Sequence, residues 1–288
     1  MKARWAALAA VALLASACSG GDDSSGPDTQ AADAAFRAGA ASRSVLPTVD
    51  GERAYLDEAP AWNDYDPDDP GVFVPEWDQG QVDVGNGSDD GSWVHDDLRA
   101  SAVALATGAD LVVIVSVDVY MVFAVDAAEI ERRARELLPD DVADSARIII
   151  SATHLHEGPD TAFSVNDDWY DLMADETAGA IADAVDALQP AELTAAQGEH
   201  GFGQVDARDP LIVDPTVNVL SVNTADGDDT IATVVQWASH PETTLGWSPP
   251  VDLTETCAAK GWTGDDCTAD GRYFTADYPG VLRTRLQE

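Results

Sequence analysis

The run Ile148-Ile149-Ile150 reads as a buried strand. It leads into Ser151-Ala152-Thr153-His154-Leu155-His156-Glu157-Gly158-Pro159-Asp160 and breaks at the Gly-Pro pair. A short apolar run bounded by such a breaker suits a strand better than a helix. In an extended chain, residues i and i+2 share a face, so His154 and His156 are expected to converge where the strand ends. A second apolar run, Val234-Val235-Gln236-Trp237-Ala238-Ser239-His240-Pro241, also ends in a histidine. The chain has 5 histidines, and three of them stand at strand exits. That distribution points to a metal.

The surrounding pattern specifies an α/β chain of layered, mixed β-sheets flanked by helices. Leu98 to Ala106 and Leu111 to Val119 read as strands joined around Thr107-Gly108-Ala109-Asp110, a hairpin. Asp126 with Glu129 reads as a capping box for a helix to about Leu138, which Pro139 stops. A second helix is expected from about Trp169 to Leu188, before Pro190. Val217 to Val222 and Thr230 to Trp237 flank an Asp226-Gly227 turn and form another hairpin. Asp277 is placed to cap a final helix that opens at Tyr278-Pro279. That periodicity is still running at Glu288, so the chain is expected to be the front part of a longer protein. Residues 47–92 are rich in Asp, Pro and Gly and read as an irregular covering loop.

The first residues are a sorting signal. Lys2 and Arg4 precede an apolar stretch, Ala6 to Ala15, too short to span a membrane. It ends in Leu14-Ala15-Ser16-Ala17-Cys18-Ser19-Gly20, which resembles a bacterial lipoprotein processing site. Residues 1–18 are therefore expected to be the signal with the lipidated Cys18, and 19–34 a flexible polar tether. The mature protein is expected to be exported and anchored to the cell envelope through that lipid, or secreted without it. In an oxidising compartment, Cys257 and Cys267 are expected to form a disulfide. The net charge of −38, from 53 acidic and 15 basic residues, repels phosphate backbones and disfavours nucleic acid as a partner.

Several ordered blocks carry a resemblance. They are Ala38 to Pro47, Val115-Ser116-Val117-Asp118-Val119-Tyr120-Met121-Val122-Phe123, the His-x-His-x-Gly-Pro block within Ser151 to Pro159, Gln236 to Pro241, and Thr275-Ala276-Asp277-Tyr278-Pro279-Gly280. Together they resemble the N-terminal catalytic region of neutral/alkaline, non-lysosomal ceramidases, over nearly all of residues 35–288. The resemblance implies a zinc-dependent hydrolase that cleaves the N-acyl bond of ceramide, or of a related lipid, into sphingosine and fatty acid. It implies that His154 and His240 bind zinc, that His156 contacts substrate or its oxyanion, and that Arg208 contacts substrate. It also implies a Glu and a Tyr completing the zinc site, in a segment beyond residue 288. Asp160 departs from the family pattern, which has glycine there.

The chemistry suits these residue types. Zinc on neutral imidazoles lowers the pKa of bound water to about 7 and polarises a carbonyl. A nearby donor then stabilises the oxyanion. Asp118 ends a strand beside the paired histidines and is expected to accept a proton from a ligand's second nitrogen. Asp277 is the other carboxylate expected near the site. Glu157 should point away from both histidines, and His95 and His200 read as loop residues. Two other functions fit the same residues: a metal-dependent esterase or phosphatase on this scaffold, and a non-catalytic exported binding module.

Overall fold

A computed structural model of the chain describes residues 36–48, 54–55, 93–163, 165–201, 212–227, 229–243, 252–261 and 273–288, with single positions 204, 206, 210, 263, 264 and 267. These belong to one compact unit, residues 34–288. The expected signal, Cys18, the tether, most of the covering loop and Arg208 lie outside the described residues.

The centre of the fold is a hairpin of alternating burial. Strands β4 (Arg99–Thr107) and β5 (Asp110–Val117) pair antiparallel around the expected turn, where Gly108 takes a positive φ of 58°. Along β4, Ala100, Ala102, Ala104 and Ala106 are buried; along β5, so are Leu111, Val113, Val115 and Val117. Their period of two lays one face of the hairpin against helices. The helix across it is α3 (Asp167–Asp186), which starts when Asn166 accepts the Trp169 amide on its side chain. Its Trp169, Met173, Ala174, Ala178, Ile181 and Val185 recur at helical spacing and join the same core. Trp169 also donates its indole N–H to the Val45 carbonyl at 2.9 Å. The alanines of β4 matter because small side chains let α3 sit close to the sheet.

The seven-stranded sheet runs β6-β5-β4-β1-β7-β8-β9, with β1 (Arg37–Ser44), β6 (Arg147–Ala152), β7 (Gln189–Glu199), β8 (Thr216–Thr224) and β9 (Thr230–Trp237). Only β5 and β6 pair parallel within it, and the intervening crossover is helix α1 (Ala124–Leu137) with the short α2 (Asp140–Ala143). The mixed sheet with flanking helices agrees with the α/β reading. A small parallel sheet joins β10 (Tyr273–Phe274), β3 (Trp93–Val94) and β2 (Ala54–Tyr55). The chain then passes α4 (Thr254–Lys260) and, after β10, ends in α5 (Asp277–Gln287). Cys257 and Cys267 form the expected disulfide. Among the described residues, no helix is long and apolar enough to cross a membrane.

Two helix starts differ from expectation by a shift in register. Helix α1 begins at Ala124, so Asp126 is its third residue and reaches back to accept the Phe123 amide at 2.9 Å. Glu129 is not part of a cap; it pairs with Arg132 and Arg133 instead. At α5, Asp277 is already the first helical residue, and its own N–H donates to Thr275 Oγ1 at 3.1 Å. The N-cap position, Ala276, offers no side-chain bond, so Thr275 accepts the Asp277 amide while Asp277 Oδ1 accepts the Tyr278 amide from within the first turn.

Strand β1 is held by an approach that only a bare backbone permits. A Cβ placed on Gly39 would lie 2.3 Å from the Ala184 carbonyl oxygen and 2.7 Å from the Ala187 carbonyl carbon, at the end of α3. Neither atom can move without distorting the helix. Gly39→Ala is expected to destabilise the fold by about 1–3 kcal/mol through overpacking. Urea unfolding checks this, and a variant as stable as the parent would contradict the contact.

Candidate metal centre

Strands β6 and β9 lie at opposite edges of the hydrogen-bonded sheet, yet the His154 and His240 rings lie 4.5 Å apart, centroid to centroid. Strands β7-β8-β9 join the rest of the sheet through only Arg37–Pro190 and Ala38–Gln189, and β9 comes against β1, with which it does not pair. That approach brings the segment after β9 to the segment after β6.

His154 and His156 do converge, but not through extended geometry. Strand β6 ends at Ala152, and His154 takes a left-handed φ of 68°. A non-glycine residue there is uncommon and costs about 1–3 kcal/mol, a strain characteristic of functional sites. The turn is enforced by the end of β5: the amides of His154 and Leu155 both donate to the Val119 carbonyl at 3.1 Å, and that of Thr153 to Val117. The two rings then stand 5.3 Å apart at an interplanar angle of 85°. Asp160, where the resemblance expects glycine, accepts the amides of Ala162 and Phe163 and shapes the loop that follows. Glu157 is buried at 2% exposure.

One ring nitrogen from each of His154, His156 and His240 lies within 4.8 Å of the others, so the three can hold a metal ion. The tautomers fit such a role. His154 Nδ1 is 2.8 Å from the Tyr120 carbonyl oxygen, which only accepts, so Nδ1 carries the hydrogen and Nε2 the lone pair. His240 Nδ1 lies 2.6 Å from Glu242 Oε2, with the same consequence for its Nε2. His156 Nε2 is 3.0 Å from His240 Nε2. Two nitrogens bound tetrahedrally to zinc at about 2.0–2.1 Å would stand roughly 3.3 Å apart, so little adjustment is needed. His156 is 1% exposed, whereas the His240 side chain is 34% exposed. The cluster therefore has a dry side and an open side.

Tyr120 forms the floor. It is 1% exposed, stacks on His154 at 4.6 Å and meets His156 edge-on at 5.0 Å. Burial raises its pKa, and the carboxylates of Asp160 and Glu242 add to the shift. The phenol therefore keeps its proton.

Helix α5 braces both halves of the cluster. Arg283 Nη1 donates to Asp118 Oδ2 at 2.8 Å, directly behind Val119 and Tyr120. At the other half, Thr243 Oγ1 donates to Asp277 Oδ1 at 2.6 Å, and the Tyr278 hydroxyl donates to the Ser239 carbonyl at 2.7 Å. Asp277 thus anchors the loop that carries His240. The expectation for Asp118 is corrected: its Oδ2 accepts from Arg283 and from the Arg99 amide. A backbone carbonyl and Glu242 orient the imidazoles in its place.

His95 and His200 lie in loops, as expected. His95 Nδ1 stands 3.5 Å from Asp96, and His200 packs on Trp237. Arg208 is outside the described residues. Tyr120 and Glu242 were missed by sequence reasoning. Glu242 had a usable signal, a carboxylate two positions beyond a strand-end histidine; Tyr120 had none, because it reads as an ordinary apolar residue after a strand.

No family model matches the chain, and no curated protein does. Two solved structures are similar in fold. One, a ceramidase complexed with C2, has 17% sequence identity and a TM-score of 0.50 over 73% of this chain and 32% of its own. The other, the neutral ceramidase from Pseudomonas aeruginosa, has 17% identity and a TM-score of 0.49 over the same shares. The chain thus spans about a third of the length of the structures it matches, and its fold is ceramidase-like.

Proposed function

We propose that the chain carries the metal-binding part of a zinc-dependent amidohydrolase that cleaves the N-acyl bond of ceramide or a related N-acyl lipid. The observation that carries this reading is the meeting of His154, His156 and His240 from opposite sheet edges, two of them oriented with Nε2 as the lone-pair atom. Imidazole donors suit zinc. A bound zinc ion would supply a water acidic enough to ionise near neutrality and would polarise an amide carbonyl.

The protein's own contribution is placement. His154 and His240 hold the cation. His156, expected from the resemblance to contact substrate, faces the same point with Nε2 and serves as a third donor. The Tyr120 ring and the Val119 carbonyl keep His154 in its strained turn, and the exposed side of His240 admits substrate. The amide substrate comes from the likeness in fold to a ceramidase complexed with C2. Arg208 remains the proposed substrate contact. A lipid on Cys18 would keep the exported protein at a membrane surface, where N-acyl lipids reside. The charge of −38 disfavours a phosphatase, since an anionic substrate would be repelled.

The test is metal analysis of the purified protein, together with hydrolysis of a short-chain ceramide, its ester analogue and a phosphomonoester. The expected result is about one zinc per chain and amide cleavage that a chelator abolishes and zinc restores. Hydrolysis indifferent to chelation would refute the metal role. Zinc binding without any turnover would favour the binding module, and turnover of the ester or phosphomonoester alone would favour the rival enzymes.

A further inference from the structure

Glu242 is a half-buried carboxylate, its side chain 18% exposed, that the resemblance leaves without a role. It follows His240 across Pro241, and its amide donates to the His240 carbonyl at 3.1 Å, which folds its side chain back toward the imidazole it follows. Oε2 then lies 2.6 Å from His240 Nδ1. Oε1 is buried, has no hydrogen-bond partner among the described residues, and stands 3.6 Å from His156 Nε2. One carboxylate therefore touches one imidazole and faces a second.

Two physical consequences follow. A carboxylate on Nδ1–H keeps the His240 tautomer with its lone pair on Nε2, fixes the ring plane and makes Nε2 a stronger donor. A buried carboxylate oxygen without a hydrogen bond is also costly, unless positive charge stands nearby. Three neutral imidazoles offset none of the charge of a dication; Glu242 removes one unit of it from within the chain.

We propose that Glu242 is the positioning residue of the metal centre, holding His240 toward the shared ion and supplying the compensating negative charge. This inference rests on the reading of the three histidines as a metal site. The test is zinc affinity, measured by competition with a chromophoric chelator on the purified chain, for the parent, Glu242→Gln and Glu242→Leu. The glutamine variant keeps an acceptor for Nδ1–H but loses the charge, and the leucine variant loses both. We expect affinity to fall about 10-fold in E242Q and about 100-fold in E242L. The urea midpoint of metal-free E242Q should stay near that of the parent, because the role concerns the ion and not the fold. Zinc affinity in E242Q within about threefold of the parent's overturns the proposal, as does an affinity loss matched by a collapse of the metal-free fold; E242Q decides the matter if E242L does not fold. A parent chain that binds no zinc overturns the metal reading itself, a result distinct from failure of Glu242 alone.

Discussion

Replacing His154 by Ala is expected to lower zinc affinity by more than about 100-fold and to abolish zinc-dependent amide cleavage. Losing a residue that only orients a ligand already costs about 10–100-fold, so losing the ligand itself must cost more. His154 is the sharper choice over His240 because its backbone adds a second readout. At a φ of 68° only glycine is at ease, and an alanine there costs about 1–2 kcal/mol. Both Ala and Gly remove the ring that stacks on Tyr120 and the bond to the Tyr120 carbonyl, so these losses cancel between the two variants. His154→Gly should therefore be more stable than His154→Ala by about 1–2 kcal/mol, while binding zinc equally poorly. Chelator competition and urea unfolding measure the two effects. Zinc affinity retained in both variants would remove His154 from the site. Equal stability of Gly and Ala would show that the left-handed turn stores no strain.

The second large effect is expected at Arg283. Asp118 is 2% exposed, and the Arg283 side chain that neutralises it is 23% exposed. Removing one partner of such a pair leaves a buried charge without its counter-ion, so Arg283→Met is expected to cost about 3 kcal/mol, even though Met keeps most of the aliphatic packing. Adding Asp118→Asn, which removes the charge but keeps an acceptor for the Arg99 amide, should recover a large part of that loss. The pH dependence has a definite sign. Burial raises the Asp118 pKa, with the Arg283 charge opposing the rise. The folded state thus binds that proton more tightly than the unfolded chain does. The resulting stabilisation is complete below the unfolded pKa of about 3.9 and is lost as pH rises through the higher folded value. Once Arg283 is gone the opposition to that rise disappears, so R283M should come nearest to the parent in acid and fall behind it as the pH increases. A loss under about 1 kcal/mol at neutral pH, or no recovery in the double variant, would show that the pair does not brace the site.

Helix α5 supports both halves of the cluster at once. Arg283 secures the wall behind His154, while Asp277 and Tyr278 secure the loop bearing His240. Burial and the nearby Asp277 push the Tyr278 pKa up to about 12, so its hydroxyl keeps the proton it donates to Ser239 across the ordinary pH range.

Local chemistry was enough to read the hairpins, the two long helices and the disulfide. Alternating burial, capping side chains and Gly or Pro breakers act over a few residues, and each leaves its mark in the chain. Strand β7 escaped because Gln189-Pro190-Ala191-Glu192-Leu193-Thr194-Ala195-Ala196-Gln197-Gly198-Glu199 is largely exposed and poor in β-branched side chains. The three histidines could likewise be picked out one by one, since each follows an apolar run. Their meeting could not be derived from those runs, because it depends on how the two edge strands of a seven-stranded sheet are brought together. The partners of the imidazoles were decided at the same level. Asp118 was the nearest carboxylate in strand register, but burial committed it to Arg283, and the orienting contacts passed to the Tyr120 carbonyl and Glu242. Residue types and strand ends are local properties of the chain; which nitrogen faces which oxygen depends on tertiary packing between segments far apart along it.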